Sequence, residues 1–140
     1  MKIDERDHKL LAFWAVDCAE RVILYFEQNH PQDNRPRQAL EAGRAWAHDE
    51  IGVTEARTAA FAAHAAARNA EHASARAAAR AAGHAAATAH VASHARHVAA
   101  YAVTAATIGS NTDASTEHDW QFQKLAKHLQ PVVFPDEATT

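Results

Sequence analysis

The chain holds one cysteine, four glycines and four prolines in 140 residues. A single thiol, Cys18, cannot form an internal disulfide. Its place in an apolar helical run predicts a buried, reduced side chain, as expected of a cytoplasmic protein. The glycines are scattered, so no Gly-rich loop is available to cradle a phosphate. Arg or His breaks every long alanine tract within a few residues, which excludes a membrane span by the alanine region. The charged opening Met1–Lys9 is followed by no separate apolar segment with a cleavage site, so no signal peptide is expected. Nothing alternates with period two for long enough to predict a strand. Residues 56–109 lack lysine, contain few aromatics and carry no helix-turn-helix pattern, which argues against nucleic-acid binding although that stretch has a net charge of +4.

Alanine dominates what is present, with 37 residues concentrated between Glu55 and Ile108. Alanine costs least to place in a helix and contributes little apolar area, so the core needs larger side chains from elsewhere. Leu10, Leu11, Phe13, Trp14, Val22 to Phe26, Leu40, Trp46, Phe61, Tyr101, Trp120, Phe122 and Leu125 are the candidates, clustered towards the two ends. Leu11, Trp14, Cys18, Val22 and Tyr25 fall at 3–4 spacing and predict a first helix from about Asp4 or Asp7 to Gln28. A second starts near Asp33 or Asn34 with Pro36 in its first turn and ends before Gly52. Thr54 caps a third reaching Asn69, and a fourth runs from Ser74 towards Thr88. Residues 90–107 continue it or form a fifth helix, 109–115 are a loop, and Thr116 caps a last helix stopped by Pro131. The expected fold is an all-α, single-domain bundle of five or six helices over residues 1–130, with an extended tail over 131–140.

Six histidines and five arginines punctuate the stretch Glu55–Ile108. His90, His94 and His97 lie at spacings of four and three, which on a continuous helix puts three imidazoles on one face and makes them candidates for a transition-metal site. No HExxH motif or carboxylate lies nearby to complete it, and ordinary surface histidines are the plainer reading. His64 with Arg68, and Arg80 with His84, share helix faces. Asp17, Glu20 and Glu41 sit beside apolar seams and could pair with them or with Arg44. Cys18 with His8 or His48 is a poor nucleophile arrangement, because a cysteine inside a core seam is badly placed for catalysis. No motif identifies an enzyme.

The segments Trp14–Val22 (WAVDCAERV), Asp33–Glu41 (DNRPRQALE) and Ala81–Val91 (AAGHAAATAHV) taken together resemble a bacterial family of small, alanine-rich helical immunity-type proteins associated with polymorphic toxin systems. Arg44 with Trp46, and Ala62–Arg68 (AAHAAAR), are similar to it as well, so that the resemblance spans Leu10 to Tyr101. It implies a cytoplasmic protein that neutralises a partner toxin by stoichiometric association. By resemblance, Asp17, Glu20, Arg35, Arg44, His64, His84 and His90 match the family's motif positions, whereas His97 falls outside them.

Three readings stand side by side. The first is the toxin-binding module; residues 1–55 and 110–140 carry net charges of −4 and −3, which would suit a basic partner such as a nuclease. The second is a metal or small-molecule site inside the bundle, possible as a catalytic one, lined by Asp17, Arg44, His64, Arg68, His84 and His90. The third is a closed polar network that sets helix register in an alanine core. Exposed alanine faces also leave room for a homodimer.

Overall fold

The computed structural model describes residues 3–137, which form eight α-helices rather than the five or six expected. They are α1 (Glu5–Glu20), α2 (Leu24–Glu27), α3 (Arg35–Ala47), α4 (Val53–Asn69), α5 (Ala73–Ala87), α6 (His94–Ser110), α7 (Ala114–Lys124) and α8 (Gln130–Val133), with a 3-10 turn (Lys127–Leu129) before the last. The extra two, α2 and α8, are single turns of four residues. No strand occurs among the described residues, and no helix of them is long and apolar enough to cross a membrane.

Local chemistry accounts for most boundaries. The Asp4 carboxylate accepts the Asp7 N–H at 2.8 Å and starts α1. That helix breaks after Glu20, and the turn at 21–23 re-aims the chain so that Val22, Ile23 and Phe26 are all buried. Pro36 sits in the first turn of α3, where a missing N–H costs nothing. Asp49 takes a left-handed conformation (φ 63°) and separates α3 from α4. Gly52 rather than Thr54 caps α4, and its N–H donates to the Glu55 carboxylate at 3.2 Å. A turn through 88–93 divides α5 from α6, and Asn111 (φ 55°) ends α6. Asp113, not Thr116, caps α7. Pro131 opens α8 instead of stopping a helix, because its ring fits the first turn; Val133 is buried, so the chain expected to run extended from 131 begins as packed structure. The last three residues of that expected tail, 138–140, lie outside the described residues.

Helix α5 is the centre of the bundle and packs against α1, α2, α3, α4 and α6. It is alanine or glycine at every fully enclosed position, from Ala75 to Ala86. Small side chains let backbones approach closely on all sides, and the bulk comes from neighbours: Leu11, Trp14, Val16, Val22, Ile23, Phe26, Leu40, Val98, Leu125 and Leu129. Leu10, Leu24 and Phe61, expected in the core, are exposed instead; Phe61 shows 64% of its surface.

Two polar ties bind α7 to the bundle. Trp14 Nε1 donates to the Gln121 carbonyl at 2.9 Å, and Gln121 Nε2 donates to the Ala99 carbonyl at 3.0 Å. Arg21 grips Glu117 through Nε and Nη2 at 2.8 and 3.0 Å while its guanidinium lies 4.0 Å above the Trp120 ring. The Glu117 side chain is 5% exposed, so it depends on this partner. Removing it by Arg21→Ala should lower unfolding stability by about 1–3 kcal/mol, less than for a fully enclosed pair because Arg21 keeps contact with water. Gly43 faces α5, where an added Cβ would lie 2.9 Å from Val16 Cγ2 and 3.3 Å from the Ala85 carbonyl oxygen. Gly43→Ala should therefore also destabilise, by about 1–3 kcal/mol despite its better helix propensity. Urea denaturation of both variants measures the two losses.

Candidate functional site

The residues singled out in the sequence separate into two groups on different helices. The acids and arginines of the N-terminal third join α1 to α3. Arg44 Nη2 lies 3.7 Å from both Asp17 Oδ1 and Glu20 Oε1. Arg37, not foreseen, is the hub: its Nη1 donates to Glu20 at 2.5 Å, and its Nε and Nη2 donate to Glu27 at 3.0 and 2.9 Å. These bonds hold the Arg37 guanidinium above its ordinary pKa. Arg35 turns back to Asp33 at 2.9 and 2.7 Å and lowers that carboxyl. Asp17 is mostly exposed and Glu41 is exposed. The lattice is a half-solvated structural tie, each pair worth up to ~1 kcal/mol. It does not meet the histidines.

The second group is a cluster of imidazoles where α4, α5 and α6 come together. His64 comes from α4, His84 from α5, and His94 and His97 from α6, with Tyr101 one turn further on. His84 is the middle of it. Its ring centroid lies 4.8 Å from that of His64, 5.1 Å from His94, 5.0 Å from His97 and 5.4 Å from Tyr101, with which it stacks at 10°. His84 Nδ1 and His94 Nδ1 face each other at 2.9 Å, so one carries the proton and the other accepts. His64 lies against α5 at Gly83, where a Cβ would stand 2.7 Å from its ring atoms. His64 Nδ1 is buried with no hydrogen-bond partner.

Burial is the first cause that pushes His84 down to about 3, and repulsion from His64, His94, His97 and Arg80 adds to it. His64 is lowered by burial, then by Arg80, His94 and Arg68; His94 by burial, then by His97 and His90. These three are neutral near pH 7 and hold free nitrogen lone pairs. Among the described residues no carboxylate forms an ion pair with any of the four rings; the ion pairs that include histidine are His118 with Glu137 and His128 with Asp7. Among the described residues no three His, Cys, Asp or Glu donors already surround one point at ligand distance.

The sequence pattern of His90, His94 and His97 thus lies on a broken segment. His90 is exposed in the 88–93 turn and makes no ring contact with the cluster, while His94 and His97 begin α6 with centroids 5.8 Å apart. The third partner of that pair is His84, from the preceding helix. Arg68 is exposed near His64 and belongs with this group, whereas Asp17 and Arg44 do not. Gly83 and Tyr101 were missed. Gly83 did carry a signal, since a glycine in an alanine helix costs about 1 kcal/mol unless a neighbour needs the space. Cys18 is fully buried, and burial pushes its thiol well above the ordinary value, with Asp17 and Glu117 adding to the effect; it is no nucleophile. The larger grooves lie elsewhere, one of ≈ 520 Å³ between α6 and α7 and one of ≈ 470 Å³ beside Arg6, Leu10 and Phe13, and neither is lined by the four histidines.

Residues 1–128 match the model of a family described as Imm-5 like putative immunity protein. No curated protein and no solved structure matches the chain.

The depressed histidines make stability depend on pH with a definite sign. The unfolded chain binds protons on His64, His84 and His94 near 6.5, while in the folded chain all three are lowered, His84 to about 3. Stability is then full above about pH 7 and should fall as the pH drops through 6.5 towards 5, before most carboxylates titrate. His84→Gln should flatten part of that slope. Unfolding midpoints in urea, measured at intervals between those pH values, test it.

Proposed function

The chain belongs to the Imm-5 like putative immunity protein family, and on that footing we propose that it acts by stoichiometric binding of a partner toxin in the cytoplasm. The observation that carries the proposal is the extent of the match, which covers α1 through the 3-10 turn and so nearly the whole bundle. A protein that works by association needs a surface of about 800 Å² and no reaction centre.

The distribution of unpaired charge supports a docking face on α4–α6. None of the five arginines of that region, Arg57, Arg68, Arg76, Arg80 and Arg96, makes an ion pair among the described residues. Arg76 and Arg96 bond only to backbone carbonyls. Beside them Phe61 is exposed, with the Arg57 guanidinium 5.8 Å from its ring, and Tyr101 is half-buried. Exposed aromatics and arginines are the side chains that anchor protein interfaces. The acids of α1–α3 are largely matched by Arg35, Arg37 and Arg44, so the charge left for a partner on the α4–α6 face is basic. This favours an acidic partner surface over the basic one that net charge alone suggests.

Titration calorimetry against the polypeptide encoded beside its gene should give a one-to-one complex with a dissociation constant below about 1 µM. Arg68→Glu with Arg80→Glu should weaken it by roughly 100-fold, mainly through faster dissociation. No association at micromolar concentration sinks the proposal; association untouched by the double variant moves the docking face away from α4–α6.

A further inference from the structure

We propose that the seam between α4, α5 and α6 binds a doubly charged tetrahedral oxyanion, a phosphate group above all, through Arg68, Arg80 and the imidazoles of His64, His84 and His97. The placement of the two arginines is the first argument. Helices α4 and α5 are joined by residues 70–72 alone and run in opposite directions. They meet where the His64 ring lies against Gly83 and stands 4.8 Å from the ring of His84. Arg68 follows His64 by four residues and Arg80 precedes His84 by four, so each arginine is one turn from its histidine. In an antiparallel pair both of those turns lie on the same side of the crossing, towards the 70–72 link. Two positive charges are thereby brought to one level of the seam.

The second argument is what these side chains lack. Neither Arg68 nor Arg80 makes a hydrogen bond or an ion pair among the described residues, although Arg80 is half-buried. In the other seam Arg35, Arg37 and Arg44 all face carboxylates. Two unpaired guanidinium groups side by side repel, and an anion between them removes the repulsion. His64 Nδ1 is buried without a partner as well. Arg80 adds to burial in holding His64 and His84 below the ordinary histidine value, an effect that a bound anion offsets.

The third argument is the chemistry of the donors, which selects the ligand. A guanidinium presents a fixed fork of N–H groups, and a neutral imidazole adds one N–H. A single fork already satisfies both oxygens of a carboxylate. Two forks with imidazoles beside them match a ligand with more charge and more acceptors, and a phosphate group carries nearly two charges and three free oxygens. Access is open, because Arg68 and His97 are exposed at the α4 and α6 edges of the seam. Tyr101 stacks on His84 at 10° from the α6 side and fixes the plane of the central ring.

The test uses tag-free full-length protein at pH 7 in a phosphate-free buffer of low ionic strength. Inorganic phosphate and, separately, glycerol phosphate are titrated in while the imidazole C–H proton resonances are followed. One site per chain is expected, half-saturated below about 1 mM, with the shifts confined to the histidines of the seam. Arg68→Gln, at an exposed position where folding is not at stake, should weaken binding by at least ~10-fold. Arg80→Gln should do the same, with far-UV circular dichroism confirming the helices. Lys124→Gln, an exposed cation on α7, should leave it unchanged. Equal affinities for the two probes identify the free ion as the ligand, and a tighter ester identifies a phosphorylated small molecule; either supports the site. Absence of saturable binding by both probes overturns the proposal, and so does binding that persists equally in Arg68→Gln and Arg80→Gln. No partner protein enters the measurement, so its outcome is independent of whether a toxin is bound.

Discussion

The close packing of α5 against five neighbours is the constraint on which the rest of the structure rests. A helix enclosed on so many sides cannot carry large side chains all round without pushing its neighbours apart. Alanine at the enclosed positions between 75 and 86, with Gly83 among them, solves this by bringing backbones near. Gly43 on α3 belongs to the same contact, meeting Val16 from α1 and Ala85 from α5. The apolar volume that alanine does not supply is provided by α1 and the turn after it, and by single large residues from α3, α6 and the C-terminal segment.

A core built this way leaves polar groups at the seams, and the two seams differ in kind. Between α1 and α3 the carboxylates and guanidinium groups face each other in partial contact with water, and the charges compensate locally. Between α4, α5 and α6 the two carboxylates of the stretch, Glu55 and Glu71, form no ion pair among the described residues. Burial and neighbouring positive groups hold His64, His84 and His94 below the ordinary histidine value, while the arginines at the edge form no ion pair among the described residues. One seam is electrostatically closed and the other open, which is why the partner-binding proposal falls on the second.

Much of the helical plan was legible in the chain. Pro36 marked the first turn of α3, the Asn69 and Ala73 boundaries of α4 and α5 were close to expectation, and the turn near Val91–His94 was one of two stated alternatives. Periodicity failed where two signals of similar strength competed. The apolar seam from Leu11 to Tyr25 fits one helix, but burying Ile23 with Val22 and Phe26 requires the break after Glu20. Pro131 was read as a stop because proline ends helices from within, yet it also begins them. Hydrophobicity alone places Phe61 in the core, whereas on α4 it stands 64% exposed.

The sequence by itself determined that the chain is helical, that its middle is basic and free of lysine, and that it belongs with the immunity-type proteins it resembles. These follow from local propensity, composition and motif, each of which is a property of residues near one another in the chain. Tertiary structure alone decided which histidines meet. His84 is ten residues from His94 and twenty from His64, on three separate helices, so no spacing along one helix could predict their contact. It arises because α5 lies between α4 and α6 and because Gly83 leaves room for an imidazole there, and both are consequences of how backbones pack rather than of any single segment.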